Sequence, residues 1–299
     1  MKYKLNDKSP VVVGGVGGSG TRLIADILMS IGYHMGFDLN ASQDNLGFTL
    51  LFKRPQWYQT KMGCMEGHVR RGLGIFSRAM TQPQPLWLDP AEMQFFLNAV
   101  FSMYRHGHDH LGSGKGTWSL QRAANLLGPK PRDPGSYCGW GWKEPNSHIY
   151  LQWLDRCYPG LKYVHVIRNG LDMAYSANQA QLYNWGFIWG IDRNRIDREP
   201  AAASLDFWIH ANHHVMRIGQ TMGTRRFMLL NYDSLCENPQ AELSALFGFL
   251  GVDTAGNSFK NNIAKIKPPE SIGRYRKFNS DVFAETQLEQ VREMGFHIF

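Results

Sequence analysis

With 299 residues, 43% of them hydrophobic, the chain can bury a substantial core and needs no disulfide framework, which excludes the small stapled scaffolds and makes one large α/β domain (1–299) the simplest organisation. Lys and Arg number 32 against 25 acidic residues, a net charge of +7 that suits an anionic cofactor or acceptor, but no basic run argues for nucleic acid. Cys64, Cys138, Cys157 and Cys236 form no C-x-x-C pair, so neither a zinc site nor a redox motif is expected, and free thiols in a reducing compartment are the simpler account. The opening MKYKLNDKSP has no apolar core of a signal peptide, and no stretch approaches the ~18 apolar residues of a membrane span. The expectation is a cytoplasmic protein with no integral membrane segment.

In chain order, Pro10 to Gly32 (PVVVGGVGGSGTRLIADILMSIG) comes first. Val11 to Val13 are a β-branched run suited to a buried strand, and Leu23, Ile24, Ile27, Leu28 and Ile31 recur at helical spacing up to a glycine at the expected C-cap, Gly32. Between them Gly14, Gly15, Gly17, Gly18 and Gly20 leave side chains only at Val16 and Ser19, so backbone N–H groups and a helix N-terminus can approach an anion. Gly15 and Gly20 have the spacing of a Walker loop, but Thr21 and Arg22 stand where it needs Lys and Ser or Thr. Gly15, Gly17 and Gly20 fit G-x-G-x-x-G, yet YHMGF before Asp38 is a poor second strand. A turn that only lets strand and helix pack closely is the bland alternative.

Tyr33 to Trp57 reads as loop then helix, and residues 60–130 as mainly helical, so a helical insertion spans roughly 40–130. In its clearest helix, Glu92 to Tyr104, Met93, Phe96, Leu97, Val100, Phe101 and Tyr104 share one face, which is expected in the core. The following RHGHDHLGSGKGTW offers a His cluster (His106, His108, His110) and the partial phosphate loop GSGKGT. Asp109 occupies the place of the first Walker glycine, and a solvated loop or lid is the better reading of both.

Trp140 and Trp142 alternate with Gly in a short strand that Pro145 ends, placing Lys143 and Glu144 at its edge. Val164, Val166 and Ile167 form a second buried run capped by Arg168 at its carboxyl end, where open α/β sheets bind ligands. Asp172 and Ser176 are expected one turn apart on the next helix, and an Arg168–Asp172 contact of purely structural character is the alternative. Residues 178–203 mix Trp185, Phe187 and Trp189 with Arg193, Arg195 and Arg198, a stacking surface for an acceptor or a covering flap. Arg226 to Val252 reads as strand, turn and helix, with Asn238 and Pro239 at N-cap and N1 and Leu243, Leu246, Phe247 and Leu250 buried.

Taken together these stretches resemble the sulfotransferase family in their order, over residues 11–278. GGVGGSGTR is similar to the loop that holds the 5′-phosphosulfate of 3′-phosphoadenosine 5′-phosphosulfate, with one departure, Gly18 in place of the usual Lys or Arg. The resemblance implies a P-loop-like three-layer α/β fold with a mainly parallel sheet and a metal-independent transfer of a sulfuryl group to a hydroxyl or amine, a small molecule or a saccharide. It implies that Gly17, Gly18, Ser19, Gly20, Thr21 and Arg22 hold the 5′ end. Arg168 and Ser176, with Arg274 and Arg276 of the Gly/Arg-rich loop SIGRYRKF, match the 3′-phosphate elements, and Tyr232, with Asp233, matches the family's tyrosine strand and helix as a further cofactor-binding residue. Lys143 matches the Lys-x-Pro lysine, whose charge would stabilise the leaving oxygen. Asp44 is the first candidate base, Glu144 the second, and Asp38 a further carboxylate at comparable distance from the loop. Other readings of the glycine loop are an NAD-dependent Rossmann oxidoreductase, a kinase, and a non-catalytic nucleotide-binding protein.

Overall fold

The computed structural model describes residues 8–83, 85–130, 136–254 and 256–298. Five strands form a mainly parallel sheet of order β2-β3-β1-β4-β5: β1 Val11–Gly15, β2 Tyr33–His34, β3 Gly139–Lys143, β4 Lys162–Ile167 and β5 Phe227–Asn231. The chain divides into two compact units, with boundaries at Val13/Gly14, Leu23/Ile24 and Leu161/Lys162.

In the first unit, β3 pairs in parallel with β1, Lys143 level with Val13, and with β2, Trp140 level with His34. The segment YHMGF therefore supplies a strand where loop is the sequence expectation, but only two residues of it. Helices α2 Leu46–Phe52, α3 Pro55–Lys61, α4 Met65–Thr81, α5 Pro90–His106, α6 Thr117–Leu127 and α7 Leu151–Cys157 belong to this unit. Its aromatic core centres on Trp142, fully buried, with Phe48 stacked at 5.4 Å and Phe76 edge-on at 5.1 Å. α5 opens on a complete capping box between Asp89 and Glu92. Its buried face is Phe95, Phe96, Ala99, Val100 and Met103, whereas Met93, Leu97, Phe101 and Tyr104 are exposed. The expected core face of this helix is thus displaced: only Phe96 and Val100 of it are buried.

The second unit takes the glycine turn and the start of α1 (Thr21–Ser30) together with β4 and β5, paired in parallel from Tyr163↔Phe227 to Ile167↔Asn231. The helices are α8 Gly170–Ala174, α9 Ala180–Trp185, α10 Arg193–Arg198, α11 Pro200–Met222, α12 Tyr232–Glu237, α13 Pro239–Leu250, α14 Asn257–Lys265 and α15 Glu285–Glu293. On α13 the four expected apolar residues are buried, Pro239 is in the first turn and Gly251 closes the helix at φ 77°. Asn238 stands at the N-cap, but its side chain makes no capping bond.

Candidate active site

The turn between β1 and α1 is folded on itself by the Ser19 amide, which donates to the Val16 carbonyl at 3.1 Å. Gly18 and Gly20 both have φ +96°, a conformation that L side chains rarely adopt. A Cβ on Gly20 would lie 2.1 Å from the Tyr232 ring, so the ring closes on bare backbone. The Gly17 amide donates to Gln181 Oε1 at 3.0 Å, while among the described residues no backbone acceptor engages the amides of Gly18 or Gly20. Ser19 Oγ is buried with no hydrogen-bond partner among the described residues. Thr21 is buried at the start of α1, and Arg22 beside it is exposed and forms no ion pair among the described residues. Ser176 Oγ accepts from the Asn178 amide at 3.2 Å and would be 3.6 Å from a Cβ at Gly18. The helix expected to carry Ser176 ends two residues earlier, at Ala174, so Ser176 sits in the turn that follows α8.

At the end of β4 the Arg168 guanidinium is buried among polar groups of the same unit. Nη2 donates to Ser271 Oγ at 3.0 Å and lies 3.7 Å from Asp172 Oδ2, and Nε is 4.0 Å from Asp233 Oδ1. Nε and Asp233 Oδ1 have no hydrogen-bond partner among the described residues. Asp172 is committed elsewhere, since its two oxygens accept the Gly273 amide at 2.8 Å and the Tyr275 amide at 3.2 Å, tying down the SIGRYRKF loop. Arg274 joins the cluster: Nε donates to the Ser271 carbonyl at 3.2 Å, and burial together with the Arg168 charge lowers its pKa. Arg276 turns outward and is exposed. Tyr232, whose ring lies 5.7 Å from the Arg168 guanidinium carbon, has its hydroxyl pushed up to about 12 mainly by burial, and burial also raises Asp233.

In the first unit Lys143 is buried at the end of β3 and is ion-paired with Asp44 Oδ1, while Nζ also donates to the Ser42 carbonyl at 3.0 Å. A tight loop presents Asp44: Asn40 Oδ1 accepts the Asp44 amide at 2.9 Å, Asn40 Nδ2 donates to Asp44 Oδ2 at 2.9 Å, and the Asn45 amide donates to the Lys143 carbonyl at 2.8 Å. Glu144 is buried and faces the other way, accepting from the Asn146 amide at 2.7 Å and from Asn146 Nδ2 at 2.8 Å as the cap of a 3₁₀ turn, Pro145–Tyr150. Burial pushes its pKa up to about 7.

Other residues singled out from sequence are occupied structurally. Asp38 pairs with Arg122 at 2.8 Å. His108 lies 5.2 Å from Trp118, with burial lowering its pKa to about 4, and no group of His, Cys, Asp or Glu among the described residues is placed to hold a metal. Arg193 pairs with Asp197 and lies 4.2 Å from the Tyr183 ring, Arg195 pairs with Asp206, and Trp185 is buried. Gln181 and Ser271, which contact the loop and Arg168, carry no sequence signal that separates them from any other amide or hydroxyl.

A mainly parallel sheet flanked by helices, with a glycine turn after β1 and a buried arginine after β4, defines an α/β protein. A profile described as the sulfotransferase family matches residues 10–256, and the chain belongs to that family. It is similar to three solved structures: sulfotransferase STF1 from Mycobacterium tuberculosis H37Rv, 14% identical, covering 96% of this chain and 77% of that one with a TM-score of 0.46; the sulfotransferase domain of the Synechococcus PCC 7002 olefin synthase, 15% identical, 99% of both chains, TM-score 0.48; and the sulfotransferase domain of the curacin biosynthetic pathway, 13% identical, 98% and 99%, TM-score 0.50. No curated protein matches the sequence. Among the described residues no helix is long and apolar enough to cross a membrane.

Proposed function

We propose that this sulfotransferase uses 3′-phosphoadenosine 5′-phosphosulfate as donor and a hydroxyl or amine, a saccharide among the candidates, as acceptor. The observation that carries the reading is the second unit's pair of anion-seeking features: a glycine turn with Ser19 Oγ, and an Arg168–Arg274 cluster with Arg168 Nε, both atoms buried without a hydrogen-bond partner among the described residues. A nucleotide with phosphate at both ends fits both. Gly18, Gly20, Thr21 and the N-terminus of α1 would hold the 5′ end, with Arg22 supplying the cation that Gly18 lacks. Arg168 and Arg274 would hold the 3′-phosphate, with Ser176 adding a hydroxyl.

When bound, the donor supplies the sulfuryl group and leaves as 3′-phosphoadenosine 5′-phosphate. Lys143 Nζ neutralises charge on the departing oxygen. Asp44 takes the acceptor's proton: its side chain is partly open to solvent, whereas Glu144 is enclosed and has both oxygens engaged. Glu144 then serves to shape the end of β3 from within. Calorimetry with 3′-phosphoadenosine 5′-phosphate tests the reading. Binding is expected to weaken ~10–100-fold in Arg168→Ala, the equivalent of ~1.5–3 kcal/mol for hydrogen bonds to a charged group. Binding of NAD(H) with no binding of this nucleotide would overturn it. Sulfate transfer lost in Lys143→Ala would separate an enzyme from a nucleotide-binding relative.

A further inference from the structure

Between α3, α4 and α5 of the first unit lies an open cavity of about 540 Å³ whose lining, among the described residues, contains Arg54, Lys61, His68, Arg71 and His106 and not one carboxylate. Arg54 is the decisive residue. It is fully buried, its guanidinium carbon sits 4.2 Å from the Trp57 ring centre and 5.4 Å from that of Phe95, and Nε donates to the Leu51 carbonyl at 3.0 Å. Nη2 has no hydrogen-bond partner, and neither Arg54, Lys61 nor Arg71 forms an ion pair among the described residues. The acids that α4 and α5 carry next to the lining are committed elsewhere, Glu66 to Arg70 and Arg156, and Glu92 to Arg78.

A buried guanidinium without a counter-ion is costly, and proteins ordinarily pair such a charge. Here the cost is compounded by crowding: burial first, then Lys61, Arg71 and Arg54, lowers the pKa of His68. An anion entering the cavity would offset the mutual repulsion of these cations and give the Arg54 charge a partner. The rest of the lining is neutral, with the hydrogen-bonding side chains of Gln56, Thr60, Gln94 and Asn98 beside Trp57 and Phe95. Amides and hydroxyls in a cavity that also holds aromatic side chains suit a polyhydroxylated body. We infer that this cavity binds an acidic saccharide, its oxyanion on the Arg54–Lys61–Arg71 side and its hydroxyls on the amide wall. The inference stands apart from the donor reading, because every residue it uses lies in the first unit.

Calorimetry with glucuronate, glucose and inorganic sulfate as probes tests it. Glucuronate is expected to bind at least tenfold more tightly than either of the others, and Lys61→Ala and Arg71→Ala, both on helix surfaces, each to weaken it about tenfold with unchanged circular dichroism. Arg54→Met is expected to abolish glucuronate binding without lowering the melting midpoint of the free protein. Glucose or sulfate binding as tightly as glucuronate would overturn the assignment, as would wild-type affinity in both surface variants, or retained binding with a lowered midpoint in Arg54→Met. Titrating the same wild-type sample with 3′-phosphoadenosine 5′-phosphate keeps the two readings distinguishable: nucleotide binding without glucuronate binding sinks this inference alone.

Discussion

Gly18 has a physical reason for not being the lysine or arginine usual in the family. Its φ of +96° belongs to glycine, and a Cβ there would press on Met173 Cε at 3.3 Å. Gly18→Arg is therefore expected to cost about 1–3 kcal/mol of stability rather than to restore a missing cation, read as an earlier urea midpoint together with weaker nucleotide binding. Glu144 makes a prediction of a different kind. Its folded pKa, about 7, lies above the ordinary 4.5, so the folded state binds the extra proton. The associated stability is fully present below about pH 4.5 and is lost as pH rises through about 7. Wild-type stability should fall across that window, and Glu144→Gln, which has no proton to lose, should flatten the fall in urea titrations at a series of pH values. The sequence shows that Lys143 and Glu144 are adjacent at a strand end. That one faces Asp44 and the other a buried 3₁₀ cap follows only from the alternation of side chains along β3 and from the Asn40–Asp44 loop, which no periodicity announces.

At the scale of elements, periodicity locates α5 and misplaces its buried face. Helical spacing groups Met93, Phe96, Leu97, Val100, Phe101 and Tyr104 correctly, but α5 packs against α2, α4 and α6 through Phe95, Ala99 and Met103 as well, turning the stripe partly outward. The difference is measurable. Phe96→Ala should cost about 3–5 kcal/mol as a core truncation, whereas Leu97→Gln, at 42% exposure, should stay within about 0.5 kcal/mol in the same denaturant series. A large loss at Leu97 would mean that the exposed stripe is covered in solution. The short α8 shows a second limit of sequence reading. Arg168, Asp172 and the Gly/Arg loop are all visible in the sequence, but the Arg168–Asp172 pairing is the minor part of what Asp172 does. Its oxygens hold two amides of a loop 100 residues downstream, so Asp172→Ala should speed amide hydrogen exchange at Gly273 and Tyr275 and cost about 1–3 kcal/mol for the donors left without an acceptor.

For the whole molecule, the order of elements carries more than any one of them. The strand–glycine turn–helix at the start resembles three phosphate-loop types, and beside the local departures at Thr21 and Arg22 the proposed donor reading draws on residues far along the chain: Arg168 at the end of β4 and Arg274 beyond α14. Those late residues return to one cluster because Asp172, one turn after Arg168, accepts the Gly273 and Tyr275 amides, and Arg168 itself donates to Ser271 Oγ. A ligand that engages both the glycine turn and this cluster must then stabilise segments separated by some 250 residues. With 3′-phosphoadenosine 5′-phosphate at 100 times its Kd, linkage gives about 2.7 kcal/mol, or roughly 4 °C in melting midpoint for a chain of this size. The shift should be the same with EDTA present, and should shrink as salt is raised, since a nucleotide with several negative charges is meeting a chain of net charge +7. A midpoint that moves only with Mg²⁺ and ATP would instead place the turn with the Mg-nucleotide loops, despite Thr21 and Arg22 standing where those loops carry Lys and Ser or Thr.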